Sequence, residues 1–194
     1  MSRTRELEGR LESAEQQVRL LQKISRFMVR DVPLTKALDS VVSLVVEFMH
    51  SDSCLLYVLH DQELVLCASN NPQPATIGRV RLKLGEGLTG WVARERRLLS
   101  ISREAYADPR FKLFTDLPED TYEAFLSAPV LIRGRVAGVI NVQHRDLHFH
   151  SGGEMELLTT VGEQIGCLAV LASISDEALA KTDLLELVMA PAGR

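Results

Sequence analysis

Four groups of residues in this sequence have the types and spacing that chemistry needs. His144, His148 and His150 surround Arg145-Asp146-Leu147, a spacing at which imidazoles can hold zinc. They fall in a strand-to-helix loop, where a solvated imidazole needs no special partner, so exposed rings and no bound metal are expected. Gly85-Glu86-Gly87 precedes a short helical run, and such turns can cradle phosphate at a helix N-terminus. Glu86 would set a negative charge beside that phosphate, so a purely structural turn is expected. Cys54, Cys67 and Cys167 contain no Cys-x-x-Cys pair, which argues against a cysteine zinc site or a disulfide framework. They read as small buried hydrophobes. Finally, Phe111, Phe114, Tyr122 and Phe125 crowd one stretch that also carries Arg110. Aromatic walls with a few placed polar groups suit small ligands. The guanidinium fork of Arg110 suits the carboxylate of an amino or oxo acid, with Asp108 and Asp116 as rival partners. Between Arg103 and Glu123 six acidic residues face three basic ones, which favours a small metabolite over a nucleotide. No triad or paired-carboxylate arrangement with supporting context is present, so no catalytic residue and no cofactor are expected.

The 194 residues carry a formal charge of −4, which supplies no electrostatic footprint for nucleic acid. The longest uncharged, mainly apolar run, Ile165 to Ile174, is well short of the ~20 residues of a membrane span. Met1-Ser2-Arg3-Thr4-Arg5-Glu6 leads into mixed charge and not into an apolar signal core. A soluble, cytoplasmic protein that contacts neither membrane nor nucleic acid directly is the expectation.

The elements that must position these residues can be read from periodicity. Leu7, Leu11, Ala14, Val18, Leu21, Ser25 and Met28 alternate in steps of four and three, a heptad seam. With Leu7 at d, Arg3 and Arg10 at g face Glu8 and Glu15 at e of a parallel partner, so opposite charges meet. A homodimer through Leu7, Leu11, Val18 and Leu21 is expected. A second stripe, Leu20, Ile24 and Phe27, turns the same helix onto its own domain. After Pro33 a core-facing helix runs from Leu34 to Met49. Cys54–His60 and Glu63–Ala68 read as a hairpin about Asp61-Gln62, and residues 70–74 as a loop. Arg79–Leu84 reads as a third strand, Leu88–Arg94 as a short helix and Leu98–Ile101 as a brief strand. Residues 102–123 form a long connection. Phe125–Ile132 and Val136–His144 flank the turn Arg133-Gly134-Arg135. Ser151 with Glu154 three residues on is a capping box that opens a helix to about Ser173, and Asp176–Met189 is a further helical stretch. Antiparallel strands bracketed by helices define an α+β fold with one central sheet flanked by helices.

Several of these segments, in order, resemble the GAF domain, a small-molecule-sensing module. Gly85-Glu86-Gly87-Leu88-Thr89-Gly90-Trp91-Val92 looks like the family's Gly-x-Gly-(Leu/Ile)-x-Gly-x-Val segment. Asp108-Pro109-Arg110-Phe111 resembles its Asp-Pro-Arg-Phe loop. Residues 125–130 and 134–143 look like its closing strands, and Phe149 and Ser151 fit its helix start with His150 interposed. Within the family the flavour is similar to the N-terminal sensory domain of nitrogen phosphotransferase enzyme I or of nitrogen-fixation activators, without a phosphohistidine domain, a Walker segment or a helix-turn-helix. The resemblance implies a PAS-like fold over residues 29–174, between a dimerisation helix at 1–28 and a helical tail at 175–194. It also implies a pocket between the sheet, the short helix and the long connection. The candidates to line it are Tyr57, Trp91, Arg110, Phe111, Phe114, Tyr122, Phe125 and Ser127. The function implied is a sensor that binds a small metabolite and signals through dimer helices, not an enzyme. Two alternatives are a dimerisation scaffold with a vestigial pocket and a thiol redox sensor resembling free methionine sulfoxide reductase. The latter needs loop cysteines, whereas Cys54 and Cys67 lie in expected strands.

Overall fold

A computed structural model describes residues 2–70, 76–112 and 122–174. Helix α1 (Ser2–Ser25) closes in one 3-10 turn at Arg26–Val29, and α2 (Leu34–Met49) follows. Strands β1 (Ser53–His60), β2 (Glu63–Ser69) and β3 (Arg81–Lys83) lead to α3 (Gly87–Glu95) and β4 (Leu99–Ile101). Strands β5 (Ala124–Ile132) and β6 (Arg135–His144) precede α4 (Gly152–Ala172). The six strands form one antiparallel sheet in the order β3-β2-β1-β6-β5-β4, so the α+β architecture with a central sheet is the one adopted.

Turn chemistry closes the two hairpins. Asp61-Gln62 and Arg133-Gly134 both hold two consecutive positive φ values, the geometry whose twist matches paired strands. The third strand is shorter than its alternation suggests. The amides of Arg79 and Val80 both bond the Thr76 carbonyl, which holds 76–80 in a turn before pairing begins at Arg81.

Alternation along the strands separates two layers. On one face Cys54, Leu56, Leu126, Ala128, Val130, Ile140 and Val142 pack against Leu20 and Ile24 of α1, the apolar side of α2, and Leu157, Leu158, Val161, Ile165 and Leu168 of α4. The second stripe of α1 thus turns inward as its spacing predicts, whereas Leu7, Leu11 and Val18 are more than half exposed. Leu21 and Met28 depart from the seam and pack partly on their own core, and Ser25 turns to α4. The side chains of Arg3 and Arg10 lie outside the described residues, as does the segment 175–194.

By length and composition α4 is apolar enough to cross a membrane, a longer segment than the uncharged run at 165–174. Its apolar face is instead spent on the sheet. Gly162 and Gly166 allow that approach: a Cβ at Gly166 would stand 2.6 Å from the Leu131 carbonyl oxygen, and one at Gly162 3.0 Å from that of Pro129. Ser151 accepts the Glu154 amide while Glu154 accepts the Ser151 amide, so the capping box closes as read. The same end of α4 lies beside Gln17, and further along Ser25 donates to Gln164, so α1 and α4 run parallel.

Gly166→Ala is expected to cost about 1–3 kcal/mol in urea unfolding, because the methyl must displace backbone. Gly152→Ala, where a Cβ meets nothing within 4 Å, serves as the neutral control.

Candidate functional site

The other face of the sheet carries a differently built layer. Leu55, Tyr57, Leu64, Leu66, Val80, Leu82 and Val139 join Val92 and Ala93 of α3 in one apolar cluster, and Leu88, Ala105 and Phe125 form a second. A buried polar chain occupies the same face. Ser127 Oγ, with no exposure, donates to Asn141 Oδ1 at 2.6 Å, and Asn141 Nδ2 donates to Thr89 Oγ1 at 2.7 Å. The register sets Ser127 directly opposite Asn141 on β5 and β6, and Thr89 descends from α3. Buried polar groups are costly unless bonded, so these three residues must be held together to be tolerated.

The position of α3 depends on one close contact. A Cβ at Gly90 would meet the Lys83 carbonyl oxygen at 2.5 Å, and the Gly85 amide bonds the Gly90 carbonyl at 2.7 Å. The Gly-x-Gly turn is therefore packed structure, as expected. The Glu86 carboxylate accepts the Lys83 amide at 2.8 Å and pairs with Lys112, and these contacts, led by Lys112, pull its pKa down. A carboxylate thus stands where a phosphate would.

Beyond α3, the segment 102–112 brings two of the candidate residues together. Arg110 Cζ lies 4.6 Å from the centre of the Trp91 ring. The guanidinium is also gripped by Asp108: Nε donates to Oδ1 at 2.8 Å and Nη2 to Oδ2 at 2.7 Å, while the Arg110 amide donates to Oδ1 at 2.9 Å. Asp108, one of its two expected partners, thus holds it, while Asp116 lies outside the described residues; an incoming carboxylate would compete with Asp108. Arg110 holds the Asp108 carboxyl below its ordinary range.

The remaining candidates disperse. Tyr57 is buried in the first cluster and Phe125 in the second; Tyr122 is half-buried and Phe111 is exposed. Phe114 and the rest of 113–121 lie outside the described residues. Thr89 and Asn141 escaped the sequence reading. Their one signal is polarity: an Asn inside the apolar run of β6 and a Thr inside a short helix, each on the buried side.

Cysteine chemistry separates by burial. Cys54 is fully buried, and desolvation drives its thiol strongly upward; Cys67 is raised by partial burial. Cys167 corrects the expectation of a buried hydrophobe, because it lies on the outer side of α4 and is exposed.

The histidine group corrects the expectation of solvated rings. His144 is 5% and His150 8% exposed. His144 and His148 stack at 4.0 Å between centroids, and His150 meets His148 edge-on at 4.9 Å. His148 Nε2 donates to Glu154 Oε1 at 2.7 Å, and His150 Nδ1 lies 3.0 Å from Ser100 Oγ. Burial first, and then the neighbouring imidazoles, push His150 down to about 4 and also lower His144.

Residues 33–167 match the family model of the GAF domain, which spans well over half of the chain. The chain belongs to the GAF domain family, and its fold is the GAF fold. Among known proteins it is similar to those named "Phosphoenolpyruvate-dependent phosphotransferase system" from Escherichia coli K12 and Salmonella typhimurium LT2, at 28% identity over 137 residues in each case. The match covers 70% of this chain but 18% of those relatives' length. Two solved GAF domains of phosphoenolpyruvate-protein phosphotransferases are also similar. That from Coxiella burnetii is 27% identical with a TM-score of 0.76, over 82% of this chain and 95% of that one. That from Acinetobacter is 29% identical with a TM-score of 0.71, over 81% and 96%. A free methionine-R-sulfoxide reductase from Neisseria meningitidis, 16% identical with a TM-score of 0.69 over 83% and 92%, shares the fold.

Two measurements probe this geometry. The Asp108 carboxyl, followed by NMR, is expected to titrate below its ordinary value of 3.8 and to return toward it in Arg110→Gln. Because the folded value is the lower one, the pair's contribution to stability is complete above about pH 4 and is lost as pH falls through the folded value. Alkylation of the native protein is expected to modify Cys167 first and to leave Cys54 intact until unfolding.

Proposed function

We propose that this GAF domain, a member of a regulatory and sensor family, binds a small metabolite on the α3 face of its sheet and transmits occupancy through a homodimer formed by α1. The observation that carries this reading is the buried Ser127–Asn141–Thr89 chain. A ligand amide or hydroxyl that inserts into the chain exchanges one set of hydrogen bonds for another and so meets little desolvation penalty. Trp91, with Arg110 stacked on it and Asp108 paired to that arginine, supplies an aromatic and charged edge to the same region. Because Asp108 already occupies the guanidinium, an amide or hydroxyl compound suits this site better than a simple dicarboxylate. The acidic balance of residues 103–123 disfavours polyphosphates.

Leu7, Leu11 and Val18, exposed along one seam of α1, support a parallel dimer. We propose that the protein acts in the cytoplasm, without catalysis of its own and without direct contact with nucleic acid. Its likeness to GAF domains of phosphoenolpyruvate-protein phosphotransferases makes control of phosphoryl transfer the setting we favour.

Thermal-shift screening against amino acids, amides and oxo acids is expected to find a stabiliser whose effect is lost in Asn141→Leu and reduced in Trp91→Ala. A panel without any stabiliser would favour the scaffold reading. In sedimentation, Leu11→Asp combined with Val18→Asp is expected to be monomeric; a persistent dimer would remove α1 from the interface.

A further inference from the structure

The geometry points to a transition-metal site of the zinc class formed by His144, His148 and His150, on the opposite face of the sheet from the ligand region. One potential ligand atom on each ring lies within 4.8 Å of the others. Donors on a tetrahedral zinc stand about 3.3 Å apart, given Zn–N bonds of about 2.0 Å. The rings must therefore close by up to about 1.5 Å. His148, a third exposed on the loop after β6, is the least buried of the three rings and the one with most room to adjust about its bond to Glu154.

Two observations argue for a ligand beyond the proximity of three imidazoles. His144 and His150 are more than nine-tenths buried, yet Nε2 of each has no hydrogen-bond partner among the described residues. An orphaned buried nitrogen is costly, and two in one cluster call for a common partner. The second observation is the outer shell. His150 Nδ1 is engaged by Ser100 Oγ, which leaves Nε2 for the metal. His148 Nε2 donates to Glu154, which leaves Nδ1 as its ligand atom and reproduces the carboxylate–histidine–metal arrangement that orients such rings.

Charge is also provided for. The positive end of the α4 dipole disfavours a cation at this position. Glu154, in the first turn of α4, and Asp52, whose Oδ2 accepts the Arg145 amide at 2.8 Å, place two carboxylates around the cluster. Both act on His144. Three neutral nitrogen donors select zinc, cobalt or nickel over magnesium or calcium, which require oxygen. With three protein ligands the fourth position is left to water.

The test uses the chain stripped with chelator and titrated with Zn²⁺ and, separately, Co²⁺. Binding of one Zn²⁺ per chain is expected, with visible Co²⁺ bands of a four-coordinate, nitrogen-rich site. His148→Ala is expected to weaken Zn²⁺ at least tenfold, and Glu154→Gln, which keeps the capping box, by about tenfold to a hundredfold. The double change His144→Gln, His150→Gln should abolish binding; if it does not fold, His148→Ala decides. Lack of Zn²⁺ uptake by the unaltered chain, absence of the Co²⁺ bands, or equal uptake by the unaltered and His148→Ala chains would each overturn the site.

Discussion

The contact between α4 and β5 sets the frame for the rest of the molecule. Where a helix rides on carbonyl oxygens through Gly162 and Gly166, its axial position relative to the strand is fixed to a fraction of a side chain. That position determines where Ser151 and Glu154 begin the helix, and therefore where the loop carrying His148 and His150 must end. It also fixes the groove in which α1 lies, because Ser25 meets Gln164 and Gln17 lies against Gly153. One backbone-level contact thus registers the helical layer, the histidine cluster and the departing N-terminal helix together.

The two faces of the sheet are packed for different purposes. Beneath α1, α2 and α4 the layer is aliphatic, and its stability comes from buried apolar area. Beneath α3 two smaller clusters share their face with hydrogen-bonded polar side chains. Such a layer is less stable per unit area but discriminates better, since each polar partner has one satisfactory geometry. Tight Gly90 packing keeps α3 in place while Thr89 reaches inward.

Much of the fold could be read along the chain because its determinants are local. The capping box links Ser151 to a residue three on, the hairpin turns take two residues, and the inner stripe of α1 repeats every turn; of the outer seam, Leu21, Ser25 and Met28 turn to their own domain instead. What escaped is non-local. Thr89 and Asn141 are 52 positions apart, so nothing in either neighbourhood reveals the other. The histidines were misplaced for the same reason. His144 ends a strand, as its spacing suggests, but its burial on the helical face depends on α4, and β4 supplies Ser100 to His150 from 50 residues upstream. The grip of Asp108 on Arg110 also depends on a backbone turn that composition does not show, because that turn lets one carboxylate receive both the amide and the guanidinium.

The parallel course of α1 and α4 has a mechanical consequence. Because Gln17 sits at the start of α4, residues 2–16 run past the domain at that end, whereas α4 points toward the other. At about 1.5 Å per residue the free portion is a rod about 22 Å long. A tilt of about 5° at its base would displace the tip by about 2 Å, the scale on which helices shift at subunit interfaces. The fulcrum lies beside Glu154 and the loop that bears His148, so a small rearrangement there would be magnified along the rod before it reached anything attached to it.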